Sequence, residues 1–172
     1  MILIIMRHGE AGDFSSPDHL RQLTPRGKRQ CQSVGQMLGE KLPKLLEKYT
    51  EPSNNANHTG LDITLVSPFL RTQQSFRAVA SGIKSANIVT IDSITPAGNA
   101  QQSADLIHGY ATDSSAPRSM MVVTHMPLVS LLADKICPEF NARIFETADT
   151  LIIDYNISTG RGEQIEFYHS ER

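Results

Sequence analysis

The sequence predicts an α/β fold: a three-layer α/β/α arrangement around a mostly parallel central sheet. Three observations predict it. Short unbroken apolar runs, such as Ile2 to Met6 and Met120 to Thr124, read as strands buried on both faces. Stretches with apolar residues three and four apart lie between such runs and read as helices packed by one face. Hydroxyl-then-proline pairs, Thr24-Pro25 and Ser67-Pro68, mark helix starts. Strands alternating with helices make a layered α/β fold.

The 172 residues suit one domain with a single sizeable core, spanning 1–172. Hydrophobic content of 40% and charged content of 20% are those of a soluble globular chain. Sixteen basic residues against eighteen acidic give a net charge of -2, which argues against a general nucleic-acid or membrane binder. Cys31 and Cys137 lie far apart with no CxxC or His-rich context. A reducing cytoplasm is therefore expected, with no disulfide framework or zinc site. The first apolar run is too short for a signal peptide, and no stretch reaches the roughly 20 apolar residues of a membrane span.

In order along the chain, Ile2 to Met6 is the first strand. Residues 11 to 23 form a polar loop with Gly12, Ser15, Ser16, Pro17 and Asp18. Thr24 caps a helix whose apolar face is Cys31, Val34, Met37, Leu38, Leu42, Leu45 and Leu46; Pro43 should kink or break it. Residues 49 to 60, rich in Asn and Ser, read as a mobile surface loop, with His58 an ordinary exposed histidine. Leu61 to Val66 is a second strand, followed by a helix from about 68 to about 82. Ile88 to Ile91 is a short strand, 99 to 112 a helix, and Met120 to Thr124 a buried strand. Pro127 opens a helix closed by Cys137-Pro138. Leu151 to Tyr155 and Gln164 to Tyr168 read as a hairpin across a turn rich in Asn and Gly.

In sheets of this class ligands bind at the carboxyl ends of the strands. The ends here carry Arg7-His8-Gly9-Glu10, then Ser67-Pro68-Phe69-Leu70-Arg71, then Thr124-His125-Met126-Pro127. Taken singly, Arg71 is as good a solvated helix-start arginine as a functional one, and His125 as good a turn residue. Together they converge two arginines and two histidines on one sheet edge. A metal held by His8 and His125 is the competing arrangement, but Arg7 and Arg71 would repel a cation. A phosphoryl dianion matches two guanidinium forks better, and the helix starts near 68 and 127 add backbone N–H groups.

With "MRHGE" after the first strand, "LTPRGKRQ", "VSPFLRTQQS" and "VVTHMPLV", the chain resembles the histidine phosphatase superfamily, whose fold is phosphoglycerate-mutase-like. Its short length, "VSPFLRTQQ" and "THMPLVSLLA" are most similar to the SixA-type branch of phosphohistidine phosphatases. The resemblance runs from residue 1 to about 155. It implies that His8 attacks phosphorus as a neutral imidazole and forms a phosphohistidine intermediate that water hydrolyses. Arg7, Arg71 and His125 would then neutralise the equatorial oxygens, with His125 donor and cation together if protonated. Gly9 would let the backbone approach His8 and the phosphate. Arg21 in "DHLRQLT" stands near a family arginine: it either closes over the phosphate or is a solvated loop residue, and Asp18 and His19 share that choice.

The family's proton donor has no clear counterpart. In "TIDSITPAGN" the only carboxylate is Asp92, and Ser93 stands where the acid is expected; Glu10 is the other candidate donor. A missing acid and the lack of a large insertion favour phosphohistidine, whose imidazole leaves readily, on an accessible protein. The implied substrate is a histidine-containing phosphotransfer domain of a two-component relay. A small-molecule phosphomonoesterase is the second reading and a non-catalytic phosphoryl-binding module a third. No metal or cofactor is called for, and a monomer is favoured.

Overall fold

A computed structural model describes residues 1–13, 17–49, 60–113 and 116–170. Six strands form one sheet: β1 (Ile2–Arg7), β2 (Leu61–Val66), β3 (Ser85–Thr90), β4 (Ser119–Thr124), β5 (Thr150–Asn156) and β6 (Arg161–Tyr168). Their spatial order is β3-β2-β4-β1-β5-β6. Pairs β3–β2, β2–β4 and β4–β1 are parallel, while β5 runs antiparallel to both its neighbours. The expected α/β/α class with a mostly parallel sheet is what forms. The C-terminal pair is the expected hairpin.

The alternation of side chains along β1 explains the layering. Ile2, Ile4 and Met6 point into one core, with α1 (Pro25–Leu46) and α2 (Leu70–Val79) over them. Leu3 and Ile5 point into the other, under α4 (Leu128–Ile136) and the Ile107 face of α3 (Ala100–Ala111). A strand that serves two cores must be apolar at every position, which is why this run does not alternate. At the other extreme β3 is an edge strand, its face exposed through Ala86–Ile88. It is longer than the Ile88–Ile91 run suggests because half its residues are polar and carry no apolar signal.

Two local expectations are corrected. Pro43 does not break α1, which continues to Leu46. Proline removes one backbone donor, but it falls in the last turn, between buried Leu42 and Leu46 whose packing holds the turn in place. The two hydroxyl-proline pairs diverge. Thr24 is a true cap: its Oγ1 accepts from the Gly27 N–H at 3.0 Å. Ser67 is not, because α2 starts only at Leu70 and the Ser67 side chain is turned elsewhere. Finally, most of the 49–60 loop, His58 included, lies outside the described residues, as do Ser15 and Ser16 of the 11–23 loop. Described parts of that second loop are tethered, by a bridge between Ala11 and Leu23 and a 3₁₀ turn over Asp18–Leu20.

Both cysteines are free and buried. Among the described residues no helix is long and apolar enough to cross a membrane.

Candidate active site

His8 follows β1 directly, and its main chain continues the sheet. Its N–H donates to the Thr124 carbonyl at 3.0 Å, and its carbonyl accepts from the Ala148 N–H at 3.0 Å. The ring is fixed as firmly. Nδ1–H donates to the Gly9 carbonyl at 2.7 Å, and Nε2 accepts from Arg71 Nε–H at 3.2 Å. An arginine N–H has no lone pair to offer, so Nε2 is the unprotonated nitrogen and Nδ1 carries the hydrogen. The ring's lone pair is thereby presented at Nε2.

Burial is the largest influence on His8 and holds its pKa down to about 3; the bond to Gly9 works the other way, and the charges of Arg71, Arg7 and Arg21 lower it further. The imidazole is neutral at pH 7 by a wide margin.

His125, 1% exposed, lies with its ring centroid 5.2 Å from that of His8. Its Nε2 is paired with Ser67 Oγ at 2.8 Å, and Phe69 meets its ring edge-on at 5.0 Å. Burial pushes its pKa far below the ordinary value, reinforced by His8, Arg71 and Arg7. The conditional picture of a protonated His125 acting as a cation is therefore corrected: it is neutral and acts as a hydrogen-bonding group. Ser67 was missed in the sequence because it mimics a helix cap. Its proximity to His125 comes from neighbouring strands β2 and β4, which no local pattern records.

Arg7 ends β1, and its Nη1 donates to the Phe145 carbonyl at 2.6 Å. Arg71, 3% exposed, leaves the first turn of α2. Its Nη1 and Nη2 donate to Asp18, and its guanidinium lies 4.9 Å from the Phe69 ring centre. Arg21 is brought in from the loop, its Nε donating to the Gly12 carbonyl at 2.8 Å and its Nη1 to Asp18 at 3.2 Å. Two buried side-chain atoms find no partner among the described residues: Arg7 Nε and His125 Nδ1. Buried polar atoms are normally satisfied, and both of these belong to this cluster.

Two expected roles change. The Gly9 backbone is already paired: its N–H donates to Ser75 Oγ at 3.0 Å, and its carbonyl holds His8. Its missing side chain serves α1 instead, since a Cβ would stand 2.5 Å from the Gly27 carbonyl oxygen and 2.7 Å from Cys31 Sγ. Glu10 is equally committed. Thr24 Oγ1 donates to its Oε1 at 2.7 Å and Arg26 Nη1 to its Oε2 at 2.6 Å. The Thr24 hydroxyl is the largest influence on its pKa and lowers it; burial, next, raises it, and Arg26 and Arg29 lower it again, leaving it below the usual carboxylate range. An ionised carboxylate tied to the start of α1 is a poor proton donor. Asp92 and Ser93 are exposed.

No protein-family model matches the chain. It is 31% identical over 151 residues to the phosphohistidine phosphatase SixA homolog of Haemophilus influenzae, covering 86% of this chain and 84% of that one. It is 27% identical over 152 residues to phosphohistidine phosphatase SixA of Escherichia coli, covering 86% and 81%. Among solved structures, the protein histidine phosphatase SixA complexed with tungstate superposes with a TM-score of 0.78 over 97% of this chain and 96% of that one, at 24% identity, a likeness of fold.

Proposed function

This chain belongs to the SixA-type branch of the histidine phosphatase superfamily, and from that premise we propose that it hydrolyses phosphohistidine carried on a protein, using His8 as nucleophile. His8 Nε2 attacks phosphorus as the phosphorus–nitrogen bond of the substrate breaks. The departing imidazole takes up a proton from solvent water. Water then cleaves the phosphoryl-His8 bond, releasing inorganic phosphate and restoring the neutral ring. Arg71 Nε–H must hand over the Nε2 lone pair as phosphorus arrives, and its fork then serves the equatorial oxygens. Phosphoryl transfer relies chiefly on such positioning and charge stabilisation.

The observation that carries this reading is the fixed tautomer: a buried histidine with Nδ1–H on a carbonyl and Nε2 facing an arginine. The unpartnered Arg7 Nε and His125 Nδ1 support it as donors for phosphoryl oxygen. The commitment of Glu10 to Thr24 and Arg26 favours a substrate whose leaving group needs little protonation, which points to phosphoramidate rather than alkyl phosphate. By family analogy the carrier is a histidine-containing phosphotransfer domain of a two-component relay, met by a monomer in the cytoplasm. No metal enters the scheme.

The deciding experiment compares turnover of a phosphorylated phosphotransfer domain with a panel of sugar, glycerate and nucleotide phosphates. Preference for the protein substrate is expected, with an acid-labile, base-stable phosphoryl label that is absent from His8→Ala. Efficient hydrolysis of an alkyl phosphate with none of phosphohistidine would overturn the substrate class. No label and no turnover on any phosphate would leave a binding module.

A further inference from the structure

Asp18 takes no part in the scheme above, yet it holds the cation that the scheme most needs. Arg71 Nη1 donates to Asp18 Oδ1 at 3.2 Å and Nη2 to Oδ2 at 3.1 Å, a bidentate pair, and Nη1 also reaches the Asp18 carbonyl at 2.6 Å. Arg21 Nη1 reaches Oδ1 at 3.2 Å. A guanidinium presents the same pair of parallel N–H groups to a carboxylate and to a phosphoryl group. Asp18 therefore occupies the anion-binding edge of Arg71.

We propose that Asp18 is an exchangeable internal anion that sets the affinity and selectivity of the site: its carboxylate fills the Arg71–Arg21 cradle between turnovers, yields it to the incoming phosphoryl group, and reclaims it as inorganic phosphate leaves. The proposal rests on the phosphate-site reading above.

The two partners are unequally anchored. The Arg71 side chain is 4% exposed and that of Asp18 48%. Arg71 is fixed by His8 Nε2 and by the Phe69 ring. Asp18 comes from a three-residue 3₁₀ turn that buries nothing. The exposed carboxylate can swing out while the buried guanidinium stays. Something must neutralise the cradle meanwhile, because Arg7, Arg21 and Arg71 together bear on His8. A tethered carboxylate also acts at high effective concentration. Free monoanions compete with it poorly, whereas a phosphoryl dianion brings a second charge. Burial is the largest single influence on the Asp18 pKa and raises it, but the hydrogen bonds and charges of Arg71 and Arg21 together outweigh it and keep the group ionised.

The test is calorimetric titration of inorganic phosphate, at a pH where it is a dianion, into the wild type, Asp18→Asn and Asp18→Ala. Both variants are expected to bind phosphate about fivefold more tightly and to be inhibited by added phosphate at correspondingly lower concentration. Unchanged or weaker binding by both variants overturns the exchange, since a carboxylate that only positions Arg71 would weaken binding when removed. Binding by none of the three overturns the phosphate site itself and the exchange with it.

Discussion

The strand-end wall and the loop rim of the site are built on opposite principles. His8, His125 and Arg71 are nearly inaccessible. Their backbones, rings or neighbours are held by hydrogen bonds reaching across 58 residues or more of sequence, from Ser67 to His125 and from His8 to Arg71. Asp18 and Arg21 come from one polar loop, and their mutual contact spans three residues. Chemistry that needs a fixed lone pair and a fixed tautomer is placed on the wall, where misplacement is hardest. The rim carries the charges that can be exchanged.

The largest expected effect breaks the wall directly. Arg71→Ala should lower kcat/KM about 10²- to 10³-fold, the usual cost of deleting a group aimed at developing charge. Melting temperature should change little beside it, because the removed group is partnered mainly by loop residue Asp18. A near-normal rate in steady-state assays would move Arg71 from the wall to the rim. Ser67→Ala should cost about tenfold, one hydrogen bond's worth of orientation, while phosphate affinity in the titration above moves less than kcat. If rate and affinity fall equally, Ser67 matters for binding and not for holding His125.

Smaller effects sharpen the comparison. Glu10→Gln should change activity by less than about threefold, as expected of a half-exposed, charge-paired carboxylate. A collapse of kcat restored by better leaving groups would instead make Glu10 the acid. The smallest effect is an expected constancy. The ring protons of His8, followed by NMR, should not titrate between pH 8 and about 5, because burial holds its folded pKa to about 3 against about 6.5 when unfolded. The sign for stability follows: the unfolded chain binds this proton first. The fold therefore loses stability as pH falls from about 6.5 towards 3, and keeps its full share above 6.5.

Which features the sequence revealed follows the same division. Strand ends are legible because an unbroken apolar run announces where a parallel strand stops, so Arg7, His8 and His125 stand out, and Arg71 with them. The α/β/α class follows from the alternation of such runs with helical periodicity. What escaped was decided by partners distant in sequence. Thr24-Pro25 and Ser67-Pro68 have the same chemistry, yet one caps a helix and the other supports a histidine, because only the second lies beside β4. Gly9 is glycine because α1 crosses it at Gly27 and Cys31, a contact with no local trace. Glu10 looked available because Arg26 and Thr24, which hold it, belong to the next helix. Pro43 misled in the opposite direction: its local rule is sound, but the packed residues on either side outweigh one lost donor.

β1 feeds alternate side chains to both cores, and this ties catalysis to the whole fold. Shedding either helical layer strips one face of the strand that leads into His8. No partly opened form keeps the His8 ring in place, so exchange of the His8 amide hydrogen with solvent should require the molecule's global opening. The enzyme's working life and its folded life would then be one quantity, and agents that loosen either layer would silence it before dismantling it.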